Sequence, residues 1–206
     1  MARYYGMNLR SLLIIVLAVA GTANGWQLWE RRPVHPADGI LAPDDPVQTD
    51  LTSADRIQLG RWTLTPRARY DITARILGRE DYHFDALADL IPEDLALGWG
   101  PMSDNRTLAA FDISQAVRFY SWQPHGALPI PREDVIDHSA NTHVIPAGPV
   151  ARAALARLRV GEVVHLTGLL VDGRRDDGAT FHTSLTRTDT GPGACEVMLV
   201  ENVGVE

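Results

Sequence analysis

Residues 69–76 read Arg-Tyr-Asp-Ile-Thr-Ala-Arg-Ile, so Tyr70, Ile72, Ala74 and Ile76 alternate with Arg69, Asp71, Thr73 and Arg75. A period of two places the apolar set on one face and the polar set on the other, which predicts a half-buried strand. Ile57–Leu64, just upstream, supplies a partner strand. Working downstream, periodicity fades between residues 79 and 112. Leu87–Leu97 admits short helical turns, Gly98-Trp99-Gly100-Pro101 reads as a loop, and Asp104 can cap a short helix running to about Phe111. Ala116–Trp122 then alternates again, with Val117, Phe119 and Ser121 opposite Arg118, Tyr120 and Trp122. Both faces carry large groups, which predicts a strand buried on both sides or lining a cleft.

The second half carries stronger punctuation. Gly148-Pro149 opens a helix, because proline suits the first turn, and Val150, Ala153, Ala154 and Leu158 mark its expected inner face. Gly161 ends it. Three strands follow at Val163–Val171, Ala179–Thr186 and Cys195–Val203, the first two joined by the turn-rich Asp172–Gly178. Early strands, one helix and a late meander indicate an α+β, β-rich domain. A small barrel of the OB-like kind, with its helix before the last three strands, fits that order.

Upstream of residue 56 the composition changes. Ser11–Trp29 holds 19 residues without a charge, about 28 Å as a helix against a hydrocarbon core of roughly 30 Å. Trp26, Trp29 and the following Arg31-Arg32 suit the headgroup boundary of an uncleaved anchor. Arg3 and Arg10 before an apolar core, with Ala18-Val19-Ala20, also fit a cleaved secretory signal. Both readings place the domain outside the cytoplasm, as a single-pass protein of the cytoplasmic membrane or a secreted or periplasmic one. Residues 1–32 are therefore expected to be an anchor or signal held at the membrane through residues 11–29. Residues 33–55, with Pro33, Pro36, Pro43 and Pro46, form an expected tether, and residues 56–206 the globular domain.

All 19 basic residues of the 206 are arginine, and four of them flank the apolar segment. Residues 33–206 keep 15 arginines against 25 acidic residues, a balance of −10 with histidines neutral. Phosphate-backbone binding draws on counterion release by cations, so no nucleic-acid partner is expected. The single cysteine, Cys195, rules out an intrachain disulfide.

Two polar clusters remain. In His138-Ser139-Ala140-Asn141-Thr142-His143 the histidines are five apart, off the four-residue spacing that puts two ligands on one helix face. A helix from Pro131 to about His138 leaves His143 on the next strand, and Ser139 and Asn141 can satisfy the intervening backbone. In residues 186–196 the glycines and Pro192 make a tight connection. A chemical reading joins the clusters: Cys195 as nucleophile, His138 or His143 as its base, Asp189 as orienting group and Arg187 as holder of an anionic group. The plainer reading packs Cys195 as a small apolar residue. Trp99, Arg118, Tyr120, Trp122 and Asn141 are candidates to line a groove for a peptide, a glycan or an anionic small molecule; core packing and ion pairing are the alternative. No phosphate loop, Gly-x-Ser-x-Gly elbow, HExxH or paired-cysteine site is present, and neither a metal nor a cofactor is expected.

Residues 98–104 (GWGPMSD), 114–122 (SQAVRFYSW), 138–147 (HSANTHVIPA) and 184–196 (SLTRTDTGPGACE) together resemble an uncharacterised family of bacterial membrane-anchored or exported proteins. The resemblance runs from about residue 60 to the end. It implies one coherent domain and carries no activity. The His-before-Cys order is similar in outline to sortase-type transpeptidases, but no Thr-Leu-x-Thr-Cys precedes Cys195 and no arginine follows it. The expectation is a membrane-tethered extracytoplasmic binding or assembly domain, with an envelope protein or cell-wall ligand as partner. The alternative is a small envelope hydrolase or transpeptidase built on Cys195.

Overall fold

The computed structural model describes residues 10, 12–13, 31–186, 188–189, 191 and 193–206. Two compact units divide the chain, Met1–Arg32 and Pro33–Glu206. In the first, Arg10, Leu12 and Leu13 are helical; the anchor expected over residues 11–29 otherwise lies outside the described residues. Among the described residues no helix is long and apolar enough to cross a membrane.

The second unit is β-rich. Its strands are β1 (Val47–Asp50), β2 (Ile57–Leu59), β3 (Trp62–Asp81), β4 (Glu93–Gly98), β5 (Phe111–Ala116), β6 (Phe119–Pro124), β7 (Ser139–Pro146), β8 (Val163–Arg175), β9 (Thr180–Phe181) and β10 (Glu196–Val205). Three short helices, α1 (Asn105–Leu108), α2 (Arg132–Asp137) and α3 (Pro149–Leu155), sit between strands, with a 3-10 turn at Gly100–Ser103. β5 and β6 form a separate hairpin; the other eight strands make one sheet.

That sheet closes on itself. β3 pairs with β4, β4 with β7, β7 with β10, β10 with β8, and β8 returns to β3. Only the β7–β10 pair is parallel. Closure is possible because β3 is 20 residues long and bends at register shifts between Pro66 and Ala68 and between Ile76 and Gly78. Its first two thirds pair with β8 and its last third with β4, and Arg75 is shared by both ladders. A closed sheet leaves no unpaired edge within the ring.

The alternation that predicted β3 is observed: Tyr70, Ile72, Ala74 and Ile76 are buried in one cluster with Leu95, Leu97, Val144, Leu166, Met198 and Val200. Helix α3 packs differently from the expected face. Ala151, Leu155 and Leu158 are buried, whereas Val150 is 83% exposed. The carbonyls of Leu155, the last residue of α3, and of Leu158, in the turn that follows, each accept a 2.9 Å hydrogen bond from Arg79 Nη1, a cation at the end where the helix dipole is negative.

Four further expectations are corrected. The 87–97 stretch has turns only up to Leu90 and then enters β4, whose six residues are all buried because both faces are covered. Asp104 does cap α1, accepting from Arg106 N at 2.9 Å, but the helix stops at Leu108 and Phe111 opens a strand. Ala116–Trp122 is two strands joined at Val117-Arg118, both with positive φ (52° and 64°). This is the turn that a two-residue hairpin demands, made without the usual Asn or Gly. Lastly, residues 33–50 do not form a free tether. Val34 N bonds Val160 O (2.8 Å), Gly100 N bonds Ala42 O (2.7 Å), and β1 pairs with β3. The compact unit therefore begins at Pro33.

Candidate functional site

The hairpin β5–β6 and α2 lie against the outer face of β4, packing Leu77, Ala96, Met102, Phe111 and Val135 with Ile113, Tyr120 and Trp122. Register determines what sits beneath them. Leu95 and Leu97 point into the barrel, so Asp94 and Ala96 face outward. Their partners in β7 are His143 and Asn141. On the far side of β7 the parallel ladder sets Val197 opposite His143, which brings Cys195, two residues earlier, beside Asn141.

The result is a compact polar cluster. Asp94, with no solvent exposure, has Oδ1 2.7 Å from His143 Nδ1 and 3.2 Å from Arg118 Nη1. The His143 contact is a charge contact, not an aligned hydrogen bond, and Asp94 Oδ2 has no hydrogen-bond partner among the described residues. Cys195 and His143 line one surface cavity. Asn141 Nδ2 lies 3.7 Å from Cys195 Sγ and donates to the Arg118 carbonyl at 3.1 Å, while its Oδ1 accepts from Gln115 Nε2 at 2.8 Å. Burial opposes charge on His143, but Asp94 and Cys195 outweigh it and hold the imidazole up at about 9. At neutral pH His143 is thus an imidazolium, a proton donor instead of a base.

Arg118 is tied into the same cluster. Its guanidinium grips both Asp85 oxygens (3.0 and 2.8 Å), Asp94 and the Ile91 carbonyl (3.0 Å), and stacks 4.1 Å over Tyr82. Its own N–H donates to the Tyr82 hydroxyl at 2.8 Å. Burial, with the Asp94 charge, pushes that phenol up to about 12, so it stays neutral. Arg118 therefore pins the hairpin tip to the loop between β3 and β4 with four of its five guanidinium N–H groups.

Two cavities meet at Cys195. One of about 190 Å3 lies on the Arg118 side and includes His143 and His182. The other, about 500 Å3, is a cleft between β6 and β7 lined by Tyr120, Trp122, Arg132, Asn141, Asp189 and Glu196, among others. In it, the Arg132 guanidinium lies 4.9 Å over the Trp122 ring, and Trp122 meets Phe111 edge-on at 5.6 Å. Burial pushes the Tyr120 phenol up to about 12, with Ser139 pulling against it.

The structure thus joins His143, Cys195, Asn141 and Arg118, and places Tyr120, Trp122 and Asp189 along the cleft. It does not bring in the others. His138 sits at the α2–β7 junction, donating from Nδ1 to Asp134 O at 2.8 Å with its ring 6.5 Å from Trp99. Trp99 is a core residue whose Nε1 donates to Asp45 Oδ1 at 3.0 Å. Asp189 accepts from Ser184 Oγ at 2.7 Å and does not orient a histidine. Arg187 lies outside the described residues. The acid in the cluster is Asp94, which sequence reasoning missed. The signal was present: a carboxylate in the apolar run Leu90–Leu97 must be paired if buried. Among the described residues no group of three metal-ligating side chains could hold an ion.

Comparison of the chain with protein-family models, with curated proteins and with solved structures gives no match.

Proposed function

We propose that the chain is a membrane-tethered binding domain on the outer side of the cytoplasmic membrane, built on an OB-like barrel and receiving a cell-wall glycan in the cleft between β6 and β7. The cleft carries the reading: about 500 Å3 of concave surface where Tyr120 and Trp122 stand beside Arg132, Asn141, Asp189 and Glu196. Aromatic faces with a few converging polar groups are what an extended, hydroxyl-rich chain needs for stacking and orientation. The strand order supports it. Numbering the five ring strands in chain order gives 1-2-3-5-4, closing back on strand 1, with α3 between the third and fourth. In OB-folds the face of strands two and three, flanked by the 1–2 and 4–5 loops, takes oligonucleotides or oligosaccharides. Here those strands are β4 and β7, and β7 walls the cleft through Ser139, Ala140 and Asn141. The −10 balance of residues 33–206 disfavours the nucleic-acid option.

Location and binding are tested separately. Alkaline phosphatase fused to the C-terminus should be active in membrane fractions, whereas a bright, phosphatase-negative fluorescent fusion would place the domain in the cytoplasm. The full-length protein in detergent should cosediment with purified peptidoglycan sacculi, and Trp122→Ala and Arg132→Ala should each weaken this about tenfold. Cosedimentation indifferent to both substitutions would remove the cleft from the account.

A further inference from the structure

We propose that Cys195 is a nucleophile that accepts an acyl group, as a thioester, from an ester or amide carried by the cleft ligand, with His143 as proton donor and Asp94 as the residue that positions His143. The proposal rests on the cleft as the ligand seat and goes beyond binding. Its basis is geometric. Cys195 lies where the 500 Å3 cleft and the 190 Å3 cavity meet, so it can be reached from the ligand side. Asn141 Nδ2 faces the sulfur at 3.7 Å, and His143, two residues along the same face of β7, flanks it. Asp94 Oδ1 stands 2.7 Å from Nδ1 of His143. The arrangement sets a cysteine between a histidine cation and a side-chain amide.

The chemistry closes without an added reagent. The Sγ thiolate forms a C–S bond to the carbonyl carbon, the bond from that carbon to the alcohol or amine breaks, and the leaving group takes the imidazolium proton. Water then attacks the thioester, neutral His143 accepts its proton, and the carboxylic acid departs as Sγ returns to thiolate. Asn141, held at its oxygen by Gln115 and with its amide toward the sulfur, is the donor for the oxygen that gains charge.

Several charged groups face this pair. Asp94 comes from β4, Arg118 from the hairpin tip with Asp85 behind it, and His182, with Asp172 3.4 Å away, from the segment after β9. Asp189 and Glu196 line the cleft side, and Tyr82 stays neutral.

Cys195 is the chain's only cysteine, so thiol chemistry on the full-length protein reports on it alone. With p-nitrophenyl acetate, a thioester should form at pH 7 at least about 100-fold faster in the wild type than in His143→Gln, and prior alkylation with iodoacetamide should abolish it. In the wild type that rate should fall as pH rises through about 9, where His143 loses its proton, and Asp94→Asn should move the fall to lower pH. Equal rates for the wild type and His143→Gln, or a wild-type rate that does not fall through that range, overturn the proposal. Cys195→Ser separates the two readings, because it should abolish the adduct while sacculus binding persists.

Discussion

Asp94 and His143 stand opposite each other in the antiparallel ladder of β4 and β7, with Oδ1 2.7 Å from Nδ1 and the carboxylate wholly buried. A buried carboxylate needs a cation, and Asp94 has two, His143 and Arg118. The same pairing ties the site's electrostatics to the stability of the barrel.

Stability should therefore depend on pH in a defined window. Burial lowers the His143 pKa, but Asp94 and Cys195 reverse this and raise it from 6.5 to about 9 in the folded protein. A folded pKa above the unfolded one gives stabilisation that is complete below about pH 6.5 and disappears as pH rises through 9. Urea unfolding should show a loss of up to about 3 kcal/mol across that window in the wild type, absent from His143→Gln. Parallel curves for the two proteins would contradict the pairing.

Arg118→Ala should cost about 3 kcal/mol or more, because it leaves Asp94 buried with one cation fewer and frees the hairpin tip from Asp85 and Tyr82. Equilibrium unfolding measures the cost. A loss under about 1 kcal/mol would reduce Arg118 to a surface pair.

Val117 holds a β-branched side chain at φ 52° and is 81% exposed. Left-handed backbone costs such a residue on the order of 1–2 kcal/mol, so Val117→Gly should raise the melting temperature by a few degrees. A lower melting temperature would mean that Val117 makes contacts that outweigh its strain.

At Gly161, φ is +93° and an added Cβ would meet the Val34 carbonyl oxygen at 2.0 Å. Gly161→Ala should thus destabilise the domain by more than about 2 kcal/mol through strain and loss of the docked Val34 segment. A neutral outcome would return residues 33–36 to the role of a free linker.

What the sequence made legible follows from how local each signal is. The strand read over Ala179–Thr186 is only Thr180–Phe181, but the alternation of Tyr70 to Ile76 and the strands beginning at Val163 and near Cys195 are set within a few residues, and these were readable. The Val117-Arg118 turn was not, because neither residue type announces positive φ; the turn is held by Arg118's contacts with residues 82–94. Asp94 was hidden for a related reason. Its partner His143 is 49 positions away, and only the β4–β7 register makes them neighbours. The inner face of α3 was misjudged because a run of alanines around Ala151–Ala154 gives helical periodicity little contrast.

Hydrogen–deuterium exchange on the full-length protein, with and without a soluble muramidase digest of peptidoglycan, tests the central claim most directly. Protection confined to residues 119–122 and 139–141 and to Asp189, Gly191 and 194–196 is the predicted result, because these residues wall the cleft between β6 and β7. Unchanged exchange there, or protection only around Val34 and Val163 on another surface groove, would contradict the assignment of the cleft as the ligand seat.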